Sequence, residues 1–259
     1  MWQPDGWGSR GRVGLLTPHN DIVPEGEFRA MAPESVSIHA ARVPLGWRSG
    51  SEPPPIGLDA VRAFAEPPHV DEAAELLAAA PLSVIAYAFT SSSYLVGPDG
   101  DASLKRRLET RTHGIPVVIP CPSVALALRA LQVRRLALIH PPWFPAELDQ
   151  LGADYFRRAG LEVVYSTAAA GLSRDQLSVQ PVHVYEWVYT HVPDTAEVVF
   201  IGGGGLRAIG AIQALEEALG RPVLTANQVL SWHALRLARV DEPIVRYGQI
   251  FGCQLPEGA

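Results

Sequence analysis

Short runs of Val, Ile and Leu alternate along this chain with longer stretches whose apolar residues recur at helical spacing. Within the short runs, apolar and polar residues do not alternate, which is typical of strands covered on both faces in a parallel sheet. The pattern therefore predicts βα units and an α/β fold. The predicted strands are Val13–Leu16, Val36–Ala40, Ser83–Ala86, Pro116–Ile119, Leu136–Ile139, Glu162–Tyr165, Val198–Ile201 and Pro222–Leu224.

The longer stretches predict helices between these strands. Asp71, Asp101 and Ser123 are residue types that commonly begin helices, and Gly160 and Gly220 are residue types that end them. The predicted helices are Val70–Ala79, Ala102–Thr112, Ser123–Leu131, Pro145–Ala159, Pro181–Thr190, Leu206–Leu219 and Gln228–Leu237. The segment Gly46–Gly57 contains three consecutive prolines and is not expected to form regular structure. It is either a lid or a solvent-exposed loop.

The chain repeats one design in each half. Val13–Asn20 is an apolar run that ends in a small-Pro-polar corner, and Leu136–Trp143 has the same design. Val84–Ser93 is an apolar run that ends in small polar residues, and Val198–Gly205 repeats it with glycines. The repeat predicts two similar lobes that face each other. Since ligands bind beyond the carboxyl ends of parallel strands, we expect all four corners to meet at one cleft.

Two of these corners offer the groups that an anion requires. Thr90–Ser93 has hydroxyls and backbone N–H groups at a strand end, and Gly202–Gly205 has unobstructed N–H groups. Alternatively, the two corners are only a loop and a tight turn. The glycine corner also satisfies a dinucleotide fingerprint, Gly203-x-Gly205-x-x-Ala208. That interpretation is weak, because the next predicted strand does not end in an acidic residue.

Composition limits the classes of partner. The chain has 259 residues and a formal net charge of −6, and no block of Lys and Arg indicates nucleic acid or anionic membrane as a partner. No apolar stretch approaches the length of a membrane span or a secretory signal, so we expect a cytoplasmic protein. The histidines are too sparse to predict a metal site. Cys121, within Pro120-Cys121-Pro122, is expected to be a buried and inert thiol.

Several motifs together resemble the aspartate/glutamate racemase superfamily, most closely its maleate cis–trans isomerase, ectoine-utilisation-protein-like and arylmalonate decarboxylase branches. The resemblance runs from about Val13 to Phe251. Its motifs are Gly14-Leu15-Leu16-x-Pro18-x-Asn20, His39-Ala40-Ala41-Arg42-Val43, Ala86-Tyr87-Ala88-Phe89-Thr90-Ser91, Ala130-Leu131-x-Val133-Arg134-Arg135, Leu206-Arg207, Leu219-Gly220-Arg221-Pro222-Val223, Asn227-Gln228 and Trp232-His233-Ala234-Leu235-Arg236.

This resemblance implies two Rossmann-like lobes related by pseudo-twofold symmetry, each with a parallel four-stranded sheet, and a small carboxylate substrate held between them. It implies no cofactor and no metal, and it leaves a homo-oligomer open. The first lobe is expected to comprise residues 13–120 and 226–251 and the second lobe residues 121–225. Residues 1–12 and 252–259 are then tails.

The resemblance also implies a pair of cysteines at two strand ends, and here this chain departs from the family. Phe89 and Gly203 stand at the two cysteine positions, and Trp143 lies at the corner where relatives have a tyrosine. Mechanisms that use both thiols are therefore not expected. Asn20, Thr90, Ser91, Ser92 and the amides of Gly204 and Gly205 are expected to bind the carboxylate of the substrate.

His19 and His140 occupy the two repeated small-Pro-polar corners, and histidine exchanges protons near neutral pH. They are accordingly the predicted catalytic residues, although His140 could instead cap a helix and Phe89 could only fill space. The sequence predicts a cofactor-independent lyase or isomerase that acts on a small or aromatic organic acid without cysteine. The alternative is a catalytically silent homologue that binds carboxylates.

Overall fold

The computed structural model of this protein describes residues 7–45 and 56–258. One four-stranded sheet lies in the first half of the chain, and its strands pair in parallel in the order β2-β1-β3-β4. The strands are β1 (Gly11–Pro18), β2 (Val36–Val43), β3 (Val84–Tyr87) and β4 (Val117–Val118).

A second sheet repeats this arrangement, with parallel strands in the order β6-β5-β7-β8. The strands are β5 (Arg135–His140), β6 (Glu162–Ala168), β7 (Val198–Ile201) and β8 (Val223–Thr225). Because the two orders correspond, β1 matches β5 and β3 matches β7, as the sequence repeat predicted. The prediction of an α/β fold with two similar parallel sheets is confirmed.

Helices cover the sheets and account for the uninterrupted apolar runs. Every residue of β3, β7 and β8 is buried, as expected for strands with both faces covered. The helices are α1 (Val23–Met31), α2 (Leu58–Ala65), α3 (His69–Ala78), α4 (Thr90–Arg111), α5 (Pro120–Leu131), α6 (Ala146–Arg158), α7 (Pro181–His191), α8 (Ile212–Leu219) and α9 (Ala226–Leu237), with 3-10 turns at Ile209–Ala211 and Gln249–Gly252.

Two helices, α1 and α2, were not predicted from the sequence. Pro24 and Gly26 lie within α1, and these residue types do not favour a helix. Val23, Phe28 and Met31 nevertheless form its buried face. Helix α2 is short and begins directly after Gly57, at the end of the proline-rich segment. Both helices depend on tertiary packing, which local sequence preferences do not show.

The predicted start of α4 was wrong, and so was the predicted start of the helix Leu206–Leu219 in the second half. Helix α4 begins at Thr90, changes direction at Gly97 with φ 70°, and places Asp101 in its buried interior. Residues 206–208 are not helical, so the 3-10 turn Ile209–Ala211 and α8 begin beyond the glycine corner. The predicted ends at Gly160 and Gly220 are correct, and both glycines have positive φ.

The division of the chain into lobes at residues 120 and 226 stays a prediction. Helix α9 packs against β1, β3 and β4 of the first sheet and also contacts β8 of the second. The choice between lid and loop for Gly46–Gly57 also stays open, because residues 46–55 lie outside the described residues.

Candidate functional site

A cleft lies at the carboxyl ends of β1, β3, β5 and β7, between the two sheets. In each sheet the second strand lies on one side of the first strand, and the third strand lies on its other side. This reversal of strand order is a topological switch point, where ligands bind in open parallel sheets. The four corners that the sequence repeat singled out meet here. The described residues that line the cleft are Pro18, Asn20, Asp21, Leu45, Ile56, Ala88, Phe89, Thr90, Ser91, Trp143, Phe144, Gln176, Gly203, Gly204 and Gly205.

The first-lobe corner carries hydroxyls and unpaired amides. Strand β3 ends at Tyr87, and Thr90 and Ser91 form the start of α4, where backbone N–H groups have no partner inside the helix. Both side chains are almost fully buried yet line the cleft. Among the described residues, neither hydroxyl has a hydrogen-bonding partner within the protein, so both are available to a ligand.

The second-lobe corner presents a backbone amide. The carbonyl oxygen of Gly204 accepts a hydrogen bond from Nδ2 of Asn227 at 2.8 Å. In a trans peptide the C=O and the following N–H point in opposite directions, so the Gly205 N–H is turned away from Asn227. Gly205 lines the cleft, and no described residue accepts a hydrogen bond from its N–H, so this N–H is available as a donor there.

Glu27, a buried residue of α1, holds this corner in place. Its Oε1 accepts hydrogen bonds from the backbone N–H groups of Ala208 at 2.9 Å and Ile209 at 3.2 Å, and its Oε2 accepts one from Asn227 at 2.7 Å. Burial raises the pKa of Glu27 to about 7, while the same hydrogen bonds lower it. The glycine corner of the second lobe is thus positioned by a carboxyl group of the first.

Part of the cleft lining is apolar and aromatic. Phe89 is 8% exposed, and its ring lies 4.3 Å from that of Phe64 between ring centroids. Leu45, Trp143 and Phe144 continue this surface. A ligand in the cleft would therefore meet both hydrogen-bond donors and hydrocarbon.

Asp21 also lines the cleft, at the end of β1. Its Oδ1 accepts hydrogen bonds from the Val23 N–H at 3.0 Å and from Nε2 of Gln176 at 2.7 Å. Burial raises the pKa of Asp21 to about 6, against the hydrogen bonds of Val23 and Gln176 and the positive charge of Arg42. The sequence analysis did not select Asp21 for the cleft, although its position directly after Asn20 at a repeated corner was an available signal.

Most of the predicted site residues lie in the cleft. Asn20, Thr90, Ser91, Gly204 and Gly205, expected to bind a carboxylate, all line it. Phe89, Gly203 and Trp143, at which the sequence analysis expects this chain to depart from its relatives, line it as well.

Three predicted site residues do not line the cleft. Ser92 is fully buried, and its Oγ donates to the carbonyl oxygen of Phe89 at 2.9 Å and contacts the Tyr87 hydroxyl at 2.8 Å. Nδ1 of His19 accepts a hydrogen bond from the Leu45 N–H at 3.2 Å, so this nitrogen does not face a ligand. Ser92 and His19 are thus adjacent to the cleft rather than part of its surface.

His140 lies beneath the cleft. Its side chain is fully buried, Nδ1 bonds to the carboxylate of Asp149, and the ring stacks on Phe144 at 5.6 Å between centroids. Burial lowers the pKa of His140, while the Asp149 carboxylate raises it. Phe144 separates the imidazole from the cleft, so the geometry does not bring His140 to a substrate as the catalytic prediction required.

The remaining candidates for chemistry are absent from the cleft surface. Cys121 is buried and Cys253 half-buried, and neither lines the cleft. Within residues 7–45 and 56–258, no group of three or more His, Cys, Asp or Glu side chains is arranged to hold a metal ion. In the same ranges, no helix has the length and apolar character needed to cross a membrane.

Comparison with known proteins identifies relatives of this chain. The profile of the arylmalonate decarboxylase family matches residues 62–251, most of the chain. No curated protein sequence matches significantly. A cysteine-to-alanine variant of maleate isomerase Iso from Pseudomonas putida S16, solved with maleate, is 21% identical with a TM-score of 0.81, and the match covers 93% of this chain and 97% of that chain.

Two further solved structures share the fold. Maleate cis–trans isomerase from Nocardia farcinica, with a covalently bound succinylcysteine intermediate, is 20% identical with a TM-score of 0.79, over 93% of this chain and 98% of that chain. A double mutant of arylmalonate decarboxylase in its liganded form is 23% identical with a TM-score of 0.75, over 93% of this chain and 98% of that chain. At these identities, the solved structures support the fold.

Proposed function

Since this chain belongs to the arylmalonate decarboxylase family, we propose that it is a cofactor-independent lyase that decarboxylates a small or aromatic organic diacid without using a cysteine. The observation that carries this proposal is the mixed lining of the cleft, which offers both hydrogen-bond donors and hydrocarbon. Each kind of lining has a part in the reaction.

The hydrogen-bond donors of the cleft suit the carboxylate that the product keeps. The hydroxyls and N–H groups of Thr90 and Ser91 approach from the first lobe, and the Gly205 N–H approaches from the second. Donors fixed in this way bind a carboxylate and bind more strongly the enediolate formed from it, because the enediolate carries more negative charge on its oxygens.

The apolar residues of the cleft suit the carboxylate that leaves. A carboxylate next to Phe89, Trp143 and Phe144 is poorly solvated, and it loses its charge when it departs as carbon dioxide. The bond between Cα and this carboxyl carbon breaks, and its electron pair moves into the carboxylate held by the donors. A proton must then be added to Cα to give the monoacid product.

The two positions at which relatives carry cysteines support a mechanism without thiols. The ring of Phe89 packs on Phe64 at the first position. At the second, Gly203 has φ +81°, and a Cβ there would lie 2.3 Å from Cγ of Pro141. A cysteine at residue 203 would therefore require the backbone or Pro141 to move.

A second candidate function is carboxylate binding without turnover. The same replacement of both cysteine positions favours it, because the donors of Thr90, Ser91 and Gly205 are sufficient to hold an acid. The two candidates differ in whether carbon dioxide is released.

The proposal is tested by incubating the purified protein with phenylmalonate, methylmalonate and maleate, and measuring carbon dioxide and organic products. We expect at least one malonate to give carbon dioxide and the corresponding monoacid. Ser91→Ala, which removes one donor, should lower kcat by about 10²-fold, the usual effect of removing one oxyanion donor.

Each alternative has a distinct outcome. Thermal stabilisation by these acids without any product would favour the silent binding protein. Conversion of maleate to fumarate without carbon dioxide release would show an isomerase and overturn the decarboxylase proposal.

A further inference from the structure

The described lining of the cleft contains a single titratable side chain, Asp21. The other described lining residues are apolar or aromatic residues, glycines, Thr90, Ser91, and the two amides Asn20 and Gln176, none of which exchanges a proton near neutral pH. His19 and His140 lie outside this surface. Among the described residues, a reaction in the cleft that needs a proton therefore has one titratable side chain in contact to supply it.

The carboxyl group of Asp21 is fixed with one oxygen towards the cleft. Val23 and Gln176 both donate to Oδ1, and no described residue donates to Oδ2. Oδ2 lies 2.9 Å from the position that a Cβ on Gly205 would occupy. Oδ2 is therefore adjacent to Gly205, next to the Gln176 amide, and Asp21, Gln176 and Gly205 all line the cleft.

The charges around Asp21 allow it to hold a proton. Arg42 donates to the backbone oxygen of Asp21 at 2.5 Å, while its other terminal nitrogen pairs with Glu25 at 2.5 Å, so its charge is shared. Glu27 is a further buried carboxyl group on α1, and His19 is two residues away. Burial outweighs Arg42 and raises the pKa of Asp21 to about 6.

We propose that Asp21 is the acid that protonates Cα after carbon dioxide has left, with Gln176 as its positioning residue. In this step the O–H bond at Oδ2 breaks, the enediolate electron pair forms the new C–H bond, and Asp21 is left as a carboxylate. Solvent returns the proton before the next turnover. This assignment rests on the proposed decarboxylation.

The assignment explains why a carboxyl group can stand in a carboxylate-binding cleft. In its protonated form Asp21 carries no charge and does not repel a dianionic substrate. Ionisation of Asp21 would therefore weaken both substrate binding and proton delivery. Asp21 lies outside residues 62–251, the region matched by the profile of the arylmalonate decarboxylase family. We expect kcat/KM to fall about tenfold for each pH unit above about 6.

The test compares Asp21→Asn with Asp101→Asn, a matched change at a buried carboxyl group outside the cleft. The substrate is methylphenylmalonate in D₂O, which gives a product with a stereocentre and a new C–D bond. We expect Asp21→Asn to lower kcat at least 10²-fold, to remove the fall of kcat/KM at high pH, and to yield racemic product. Asp101→Asn should keep the wild-type rate, pH profile and single enantiomer.

The outcomes separate this assignment from the proposed function. If no diacid releases carbon dioxide with the wild-type protein, the decarboxylase proposal itself fails. If the wild-type protein is active and Asp21→Asn keeps its rate, pH profile and enantiomeric purity, Asp21 is not the acid.

A second variant covers the case in which Asp21→Asn does not fold. Gln176→Leu removes a hydrogen bond that lowers the pKa of Asp21. It should therefore move the midpoint of the pH profile upwards, whereas an unchanged midpoint would contradict the assignment.

Discussion

Ser91 and Ser92 are neighbours in the chain, but one lines the cleft and the other is part of the core. Ser91 lines the cleft without an internal hydrogen bond among the described residues. Ser92 is fully buried and bonds to the Tyr87 hydroxyl and the Phe89 carbonyl. Successive residues of a helix point about 100° apart, so one serine of the pair faces the ligand and the other faces the core.

Ser92→Ala and Ser91→Ala should therefore separate stability from binding. Ser92→Ala leaves the buried Tyr87 hydroxyl without that partner and should lower the free energy of unfolding by about 1–3 kcal/mol. Ser91→Ala should change it by less than about 0.5 kcal/mol but weaken the thermal stabilisation given by a bound carboxylate. Urea unfolding and ligand-dependent melting check the pair, and equal losses of stability would contradict it.

The sequence located the cleft residues better than it located the proton-carrying groups. Thr90, Ser91 and Gly205 were predictable because they follow buried apolar strands, and strand ends meet at one edge of a sheet. The burial of His140 could not be predicted from the sequence, because it depends on packing against Phe144 and Asp149. Asp21 was missed because an acidic residue in an anion site appears unfavourable until its burial is known.

At the scale of helices, replacing glycine by alanine should have opposite effects on stability at two positions. Gly26 lies inside α1, and a Cβ there would meet nothing within 4 Å. Gly152 lies inside α6, and a Cβ there would lie 2.8 Å from His140 and 2.9 Å from Tyr94. Helix α6 thus approaches β5 and α4 as closely as it does because residue 152 has no side chain.

We expect Gly26→Ala to stabilise the protein and Gly152→Ala to destabilise it. Alanine is preferred over glycine in a helix by about 1 kcal/mol, and at residue 26 no steric clash opposes this gain. At residue 152 it is outweighed by overpacking, which costs about 1–3 kcal/mol. Denaturant unfolding of both variants decides the matter, and a gain in stability from Gly152→Ala would refute the close packing.

Strands were easier to predict than helices in this chain. All eight predicted strands correspond to observed ones, because buried parallel strands leave an uninterrupted apolar pattern. Helices α1 and α2 and the first turns of α4 were missed, since Pro24, Gly26 and Gly97 interrupt local helical preference while tertiary contacts maintain the helices.

At the scale of the whole molecule, three carboxyl groups from the first half of the chain bond to groups of the second half. Asp21 accepts from Gln176, Glu27 from Ala208 and Ile209, and Asp101 from the Tyr155 hydroxyl at 2.8 Å. Burial raises the pKa of all three. The contact between the two halves therefore contains groups that resist ionisation.

Asp101 gives this contact a measurable pH dependence. Burial raises its pKa from 3.8 to about 6, so between these values the folded protein binds more protons than the unfolded chain. Its contribution to the free energy of unfolding should accordingly fall by about 3 kcal/mol as pH rises from about 4 to 6, and stay constant above. In the Asp101→Asn variant this contribution should not change with pH. The free energy of unfolding of the variant minus that of the wild type, measured by urea unfolding, should therefore rise between about pH 4 and 6. A difference that does not change with pH would contradict this role of Asp101.

Among the described residues, no sulfur atom lines the cleft, since Cys121 is buried and Cys253 lies elsewhere. Oxidants inactivate thiol-dependent enzymes by converting an accessible thiolate into sulfenic and higher acids. A carboxyl group, two hydroxyls and backbone amides offer peroxide no comparable target. The proposed decarboxylase activity should consequently survive treatment with an oxidant that would inactivate a cysteine-dependent relative.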